Sequence, residues 1–355
     1  MSWVLAIAGL VVLVVIHEFG HFTAAKAVGM RVEKFFLFFP PKLVSVRRGE
    51  TEYGIGMIPL GGYVKITGMN PEEELPPEIA ARAYYHQPVW KRIVVIAAGP
   101  AMNILLAFVL LFALAFGMRE VTHDVGSIEA KTAAAARLEP GDRIVSVDGV
   151  SGDQERIAKQ IGTHKCQGKP TDGCRATTPA HVRIRRDGET KTLEIRPRYD
   201  SDTGRTRLGF SYATKPEDPS VTGAASIAAD DVWQVTSGTV GVFAKIFEPE
   251  QRKKLSGIVG VSEVTHQAVE FGPREALTLI AIISLSLALI NLFPFLPLDG
   301  GHIFWSLVEK VRGKPVPFSV MERAGVVGFL LVMVLFAIGL SNDIHRLSGG
   351  GFHLR

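Results

Sequence analysis

Several things are scarce in this 355-residue chain. An excess of one charge is missing: 39 Lys and Arg stand against 35 Asp and Glu, a formal net charge of +4. So small an imbalance over this length gives no support to a nucleic-acid partner, and none is expected. Internal repeats and long low-complexity runs are absent. Cys166 and Cys174, in THKCQGKPTDGC, are the only cysteines. They can close one small loop as a disulfide in an oxidising compartment or, with His164 beside them, contribute to a zinc site. Finally, no Lys or Arg precedes the first apolar core, Trp3–Ile16, and no small-x-small site follows it, which argues against a cleaved signal peptide.

Apolar residues are plentiful: 47% of the chain is hydrophobic, concentrated in blocks. Four stretches are candidates to cross a bilayer: Trp3–Ile16, Ile93–Met118, Ala276–Leu298 and Ala324–Leu340. A spanning helix needs roughly 20 mainly apolar residues, so the second and third qualify outright. The first is short unless its polar continuation, HEFGHFTAAKA, also lies in the membrane. The fourth is near the lower limit. Residues 26–92 carry Lys26, Arg31, Lys34, Lys42, Arg47, Arg48, Lys65, Lys91 and Arg92, and the loop 309–323 carries Lys310, Arg312, Lys314 and Arg323. If all four stretches span, these loops share one side, and positive charge favours the cytoplasm. Both termini and residues 119–273 then face outward. The clusters Arg47-Arg48 and Lys253-Lys254 read as membrane-flanking or solvated charges.

Within the first block, VVIHEFGHFT holds the chain's sharpest chemical signal. On a helix each residue advances 100°, so His17 and His21 lie one turn apart on one face. Two imidazoles so placed can ligate one metal ion, and Glu18 beside them can take the proton of an attacking water, the zinc-peptidase pattern HExxH. Ionisable groups inside a membrane cost roughly 2.5–3.5 kcal/mol each on insertion scales, and so mark function. Catalytic zinc usually has three protein ligands, and the carboxylate that fits at similar depth is Asp299, in NLFPFLPLDGGH. Pro294 and Pro297 break the helix there, and Gly300-Gly301 permit tight turning. Segments one and three run in the same direction and reach these residues late, so all three candidate ligands fall near the cytoplasmic side.

HEFGH early in the chain with NLFPFLPLDGG near its end resembles the site-2 protease family of intramembrane metalloproteases, the bacterial regulator-of-sigma-E protease branch above all. The likeness extends to AAGPAMNILLAF, residues 97–108, and to IGMIPLGGYVKITGM, residues 55–69. It implies a Zn2+ site of His17, His21 and Asp299, Glu18 as catalytic base, and Asn291 as a residue that holds the unwound substrate. LSGIVGV, residues 255–261, departs from relatives that often show Gly-Pro after the Ser, which bears on the local turn only.

Residues 42–67 are expected to form a membrane-associated hairpin around Arg48-Gly49-Glu50, whose free edge could pair with an extended substrate; a cytoplasmic hairpin merely packed on the membrane is the plainer alternative. Phe35, Phe36, Phe38 and Phe39 lodge at the interface under either reading. GSIEAKTAAAARLEPGDRIVSVDGV resembles part of a PDZ domain, with HVRIRRDGETKTLEIRPR as a closing hairpin turning at Asp187-Gly188. Such a domain binds peptides along a sheet edge or excludes bulky substrates. Residues 225–246 have apolar positions at helical spacing and are expected either at the outer membrane surface or docked on the PDZ-like domain. His123 and His266 read as surface residues.

The expected fold is therefore a polytopic α-helical membrane protein with about four transmembrane helices, a membrane-associated β-hairpin and an inserted extracytoplasmic PDZ-like α+β domain. Its expected parts are residues 1–118, 119–212, 213–273 and 274–355. The function that follows is zinc-dependent endopeptidase action on transmembrane segments of single-pass proteins, such as anti-sigma factors or remnant signal peptides, in a bacterial inner membrane. A membrane-anchored PDZ scaffold is the alternative. A transporter with broken helices would show an internal repeat, which is not apparent.

Overall fold

A computed structural model describes residues 2–70, 73–130, 132–201, 203–217, 219–245, 248, 252 and 255–349. Lys253 and Lys254 lie outside the described residues. Two compact units are present: residues 1–115 together with 219–355, and residues 116–218.

The first unit begins with α1 (Ser2–Ala27), a single helix that carries the apolar run straight through His17 and His21. The polar continuation is thus part of the helix, and the 14-residue apolar core sits within a helix of 26 residues. After Gly29, at a φ of 84° that favours glycine, come β1 (Val32–Arg48) and β2 (Thr51–Ile66). The hairpin turns at Gly49, as its sequence suggests, but starts ten residues earlier than position 42. Phe35 pairs with both Val64 and Tyr53, Phe36 with Tyr63 and Gly54, and Leu37 with Gly62 and Ile55. Each long strand is therefore folded on itself, giving the lateral order 42–48, 51–56, 32–39, 58–66, with 58–66 as one free edge. Phe36 is buried and Phe35 packs against Phe22 and Tyr53, while Phe39 remains well exposed, so the phenylalanines divide between core and surface rather than all lodging at an interface.

Next is α2 (Val89–Ala115), with Pro100 inside it. The same unit resumes with α4 (Val221–Ala244), α5 (Ile258–Phe271), α6 (Pro273–Asn291), α7 (Asp299–Arg312) and α8 (Phe318–Gly349); α3 (Gln154–Ile161) belongs to the other unit. Four of these helices are long and apolar enough to cross a membrane: Ser2–Ala27, Val89–Ala115, Pro273–Asn291 and Phe318–Ser348. The third apolar stretch does not stay helical to Leu298. It stops at Asn291, runs irregularly through Pro294 and Pro297, and restarts at Asp299. Proline lacks the N–H a continuing helix needs, so the backbone breaks between two helices. Helix α4 packs Ala228 against Ala107 and Leu111 of α2 and Ala281 and Leu285 of α6, so it is docked on the apolar helices of its own unit. His266 of α5 is no surface residue. It stacks on Trp3 and hydrogen-bonds Ser2 Oγ at 2.9 Å, because α5 packs beside the start of α1.

The second unit is an antiparallel sheet of five strands, ordered β6-β5-β4-β3-β9. It contains β3 (Arg119–Ile128), β4 (Arg143–Val147), α3 (Gln154–Ile161), β5 (Ala180–Arg186), β6 (Glu189–Ile195), the short pair β7 (Arg198–Asp200) and β8 (Arg205–Arg207), and β9 (Phe210–Pro216). Alternation explains its core: Ala180, Val182 and Ile184 of β5 face inward with Ile144, Val147 and Ile157, while His181, Arg183 and Arg185 face out. Asp187 and Gly188 both have positive φ, the requirement of a tight two-residue hairpin turn. Cys166 and Cys174 form a disulfide with Cα atoms 6.2 Å apart. His164 takes no part in it, because its ring nitrogens bond Thr178 Oγ1 and Asp148 Oδ2, both at 2.8 Å. His123 is half-buried, 3.0 Å from the Gly152 carbonyl oxygen.

Candidate metal centre

His17 and His21 share one face of α1 and are both 8% exposed. Asp299, the first residue of α7, meets them from the far end of the chain. Its Oδ2 lies 3.1 Å from His17 Nε2 and 3.4 Å from His21 Nε2, and the two Nε2 atoms are 3.3 Å apart. A tetrahedral zinc ion with ligand bonds of about 2.0–2.1 Å separates neighbouring ligand atoms by roughly 3.3–3.4 Å. The triangle has the size such an ion needs. Asp299 Oδ2 is buried and yet makes no hydrogen bond, an orphaned acceptor aimed at the two imidazoles. Buried polar atoms without partners are rare and call for an explanation; a shared cation supplies one. These residues fit the ion, and among the described residues they are the cluster able to hold a metal.

The surroundings explain how the triangle is held. His21 Nδ1 donates to the Val95 carbonyl oxygen at 2.9 Å, which leaves Nε2 free to ligate. Gly99 lies directly against the His21 ring, and Gly20 against the Ala98 carbonyl, so a Cβ at either position would collide. Small residues let α1 and α2 approach this closely. Gly300 and Gly301 serve the same purpose in α7, where added Cβ atoms would strike the backbone of Leu292 and of Phe295–Leu296. The helix can therefore start tight against the proline-broken segment.

Glu18 stands beside the triangle on α1, with Gly62 of β2 packed against its Cγ. The edge 58–66 of the sheet thus borders the metal centre. Asn291 ends α6, half-buried, and its side chain makes no hydrogen bond among the described residues. His302 follows Asp299 by three positions but does not join the cluster. Two contributors escape a reading of the sequence, the Val95 carbonyl and Gly62. Of these only Gly62, in the glycine-rich IPLGGY, carries a visible signal. A backbone carbonyl has none.

A histidine pair on an apolar helix, met by a carboxylate that follows a proline-broken turn, is the arrangement of a membrane metallopeptidase. The sequence pattern of peptidase family M50 matches residues 5–335. The chain belongs to that family, the site-2 proteases, and is a zinc metalloprotease of a bacterial membrane with Zn2+ as its cofactor. It is 31% identical over 349 residues to zinc metalloprotease Rip1 of Mycobacterium tuberculosis, covering 87% of this chain and 86% of that protein. A Clostridium perfringens protein, provisionally named zinc metalloprotease CPE1693, is 29% identical over 347 residues, 97% of this chain and 98% of its own length.

Proposed function

We propose that this chain is an intramembrane endopeptidase in which His17, His21 and Asp299 hold the zinc, Glu18 is the catalytic base and Asn291 contacts the substrate. The observation that carries the reading is the ligand-sized triangle among apolar helices, with an acceptor that nothing else satisfies. When bound there, zinc acidifies a water molecule and polarises the scissile carbonyl. Glu18 takes the proton from the attacking water and passes it to the nitrogen of the leaving amine as the C–N bond breaks. His21, fixed by the Val95 carbonyl, keeps its proton on Nδ1 throughout.

The substrates are transmembrane segments of single-pass proteins, anti-sigma factors or remnant signal peptides, cut in regulated intramembrane proteolysis. A helix hides its carbonyls, so the segment must unwind, and its freed backbone groups need partners. Strand addition to the edge 58–66 provides them beside Glu18, and Asn291 helps hold the unwound strand. The basic loops favour a metal centre near the cytoplasmic face of the inner membrane. Residues 116–218 then lie outside as a PDZ-like domain that excludes bulky ectodomains and binds peptide weakly; the Cys166–Cys174 bridge favours that oxidising side.

The test is Glu18→Gln in the purified full-length protein. The variant should bind about one zinc, as the wild type does, and lose roughly 10²–10⁴-fold in cleavage of a transmembrane peptide. Equal cleavage by both would remove Glu18 as base.

A further inference from the structure

Arg92 lies in the first turn of α2, among residues where a basic side chain reads as a membrane-flanking charge. It is instead 1% exposed. Its Nη2 donates to Glu309 Oε1 at 2.6 Å, and its guanidinium sits 5.4 Å and 5.9 Å from the ring centres of Tyr85 and Tyr84. A buried arginine that lost this carboxylate would be an uncompensated charge, so α7 is constrained to keep Glu309 level with Arg92.

Two helix faces make that constraint matter for the metal. On α7, Asp299, His302, Ser306 and Glu309 are spaced by three, four and three residues and so form one stripe. On α2, Arg92, Val95 and Gly99 form another, and the last two fix His21. Helix α2 is therefore the common rail: one end of its stripe grips α7, and the next turns grip the histidine. Asp299 opens α7 after an irregular segment, so the seating of the helix on α2 bears directly on the carboxylate. Sliding α7 by one residue moves Asp299 by about 1.5 Å, while metal–ligand distances tolerate only about 0.2 Å.

We propose that Arg92 and Glu309 are positioning residues for the zinc site: their ion pair sets the register of α7 on α2 and so delivers Asp299 to His17 and His21. This rests on the ligand assignment above and goes beyond it.

The experiment compares full-length wild type, Glu309→Gln, the shorter but still charged Glu309→Asp, and Asp343→Asn. Asp343 serves as a control because it is buried far along α8, where its Oδ2 accepts from the Gly260 N–H at 2.8 Å. Zinc affinity is measured by chelator competition, thermal midpoints are taken with and without zinc, and kcat and KM are separated on a transmembrane peptide. Glu309→Gln should weaken zinc binding by at least about tenfold, shrink the zinc-induced rise in midpoint, and lower kcat at unchanged KM. Glu309→Asp should fall between it and wild type, and decides the matter if the glutamine variant does not fold. Asp343→Asn should lower both midpoints while leaving zinc affinity alone. If the Glu309 variants behave like Asp343→Asn, the pair is only structural and the proposal is overturned. Undiminished zinc binding by Asp299→Ala is a different failure, that of the ligand set itself.

Discussion

Both units of this protein bring histidine to aspartate, and the two arrangements differ in what they leave undone. In residues 116–218, His164 uses both ring nitrogens, on Thr178 and Asp148. Asp148 is equally occupied: Oδ1 accepts from the His181 N–H at 2.8 Å, and Oδ2 accepts from Gln160 at 3.2 Å as well as from His164. That network is closed. Among the apolar helices, Asp299 Oδ2 is buried without a hydrogen bond, and it lies 3.1 and 3.4 Å from the Nε2 atoms of His17 and His21. The same residue types make a structural tie in one place and the proposed metal centre in the other. Satisfaction of the last lone pair is the difference.

The contrast breaks most directly at Asp299. Asp299→Ala should abolish stoichiometric zinc binding, measured on the purified protein by metal analysis, and cleavage with it. Retention of one tightly held zinc ion would show that the triangle is not the site. Gly99→Ala tests the same centre without touching a ligand. Its new methyl would overlap the His21 ring, and since α2 backbone and a ligating side chain both resist displacement, zinc affinity should fall by about 10–100-fold. An alanine variant with wild-type affinity would mean that the close approach of α1 and α2 is incidental to the metal.

The proposed ligands are legible in the sequence because each carries a separate signal. The histidines stand at helical spacing inside an apolar run, and Asp299 follows two prolines and precedes two glycines. The hydropathy of the four long helices is equally plain. The first half of β1 is not, because FFLFF, residues 35–39, has no alternation from which a strand period could be read. Arg92 is misleading for another reason. A basic residue opening an apolar stretch ordinarily snorkels to the membrane surface, and nothing local reveals a partner 217 positions away. His266, tied to Ser2 across 264 positions, fails the same way. What the sequence hides is pairing at long range, and the outer supports of the metal centre are built from it.

At the closed network the expected effects are smaller and of another kind. His164→Ala leaves Asp148 without one partner and Thr178 without another. The unit 116–218 should lose about 1–3 kcal/mol, seen as faster amide hydrogen exchange across β4 and β5, while zinc content stays at the wild-type value. A fall in bound zinc would erase the distinction between the two histidine–aspartate pairings.

Glu50 supplies the intermediate case, a paired carboxylate that water still reaches. It sits at the turn between β1 and β2, receives two hydrogen bonds from Arg82 at 2.7 and 2.9 Å, and bonds Lys26 Nζ at 2.5 Å. The Arg82 guanidinium above all, and Lys26 after it, hold its titration down to about 2, against an ordinary value of 4.5. A carboxylate depressed in the folded state stabilises that state fully above its unfolded value. The contribution then fades as pH falls from 4.5 toward 2. Because 29% of the side chain is exposed, solvent screening keeps the effect modest. The thermal midpoint of the wild type should therefore exceed that of Glu50→Gln by a constant margin above about pH 5, and the margin should close as the medium is acidified below that. A margin that persists unchanged at the acid end would assign the stabilisation to the shape of the turn rather than to the charge that Arg82 and Lys26 enclose.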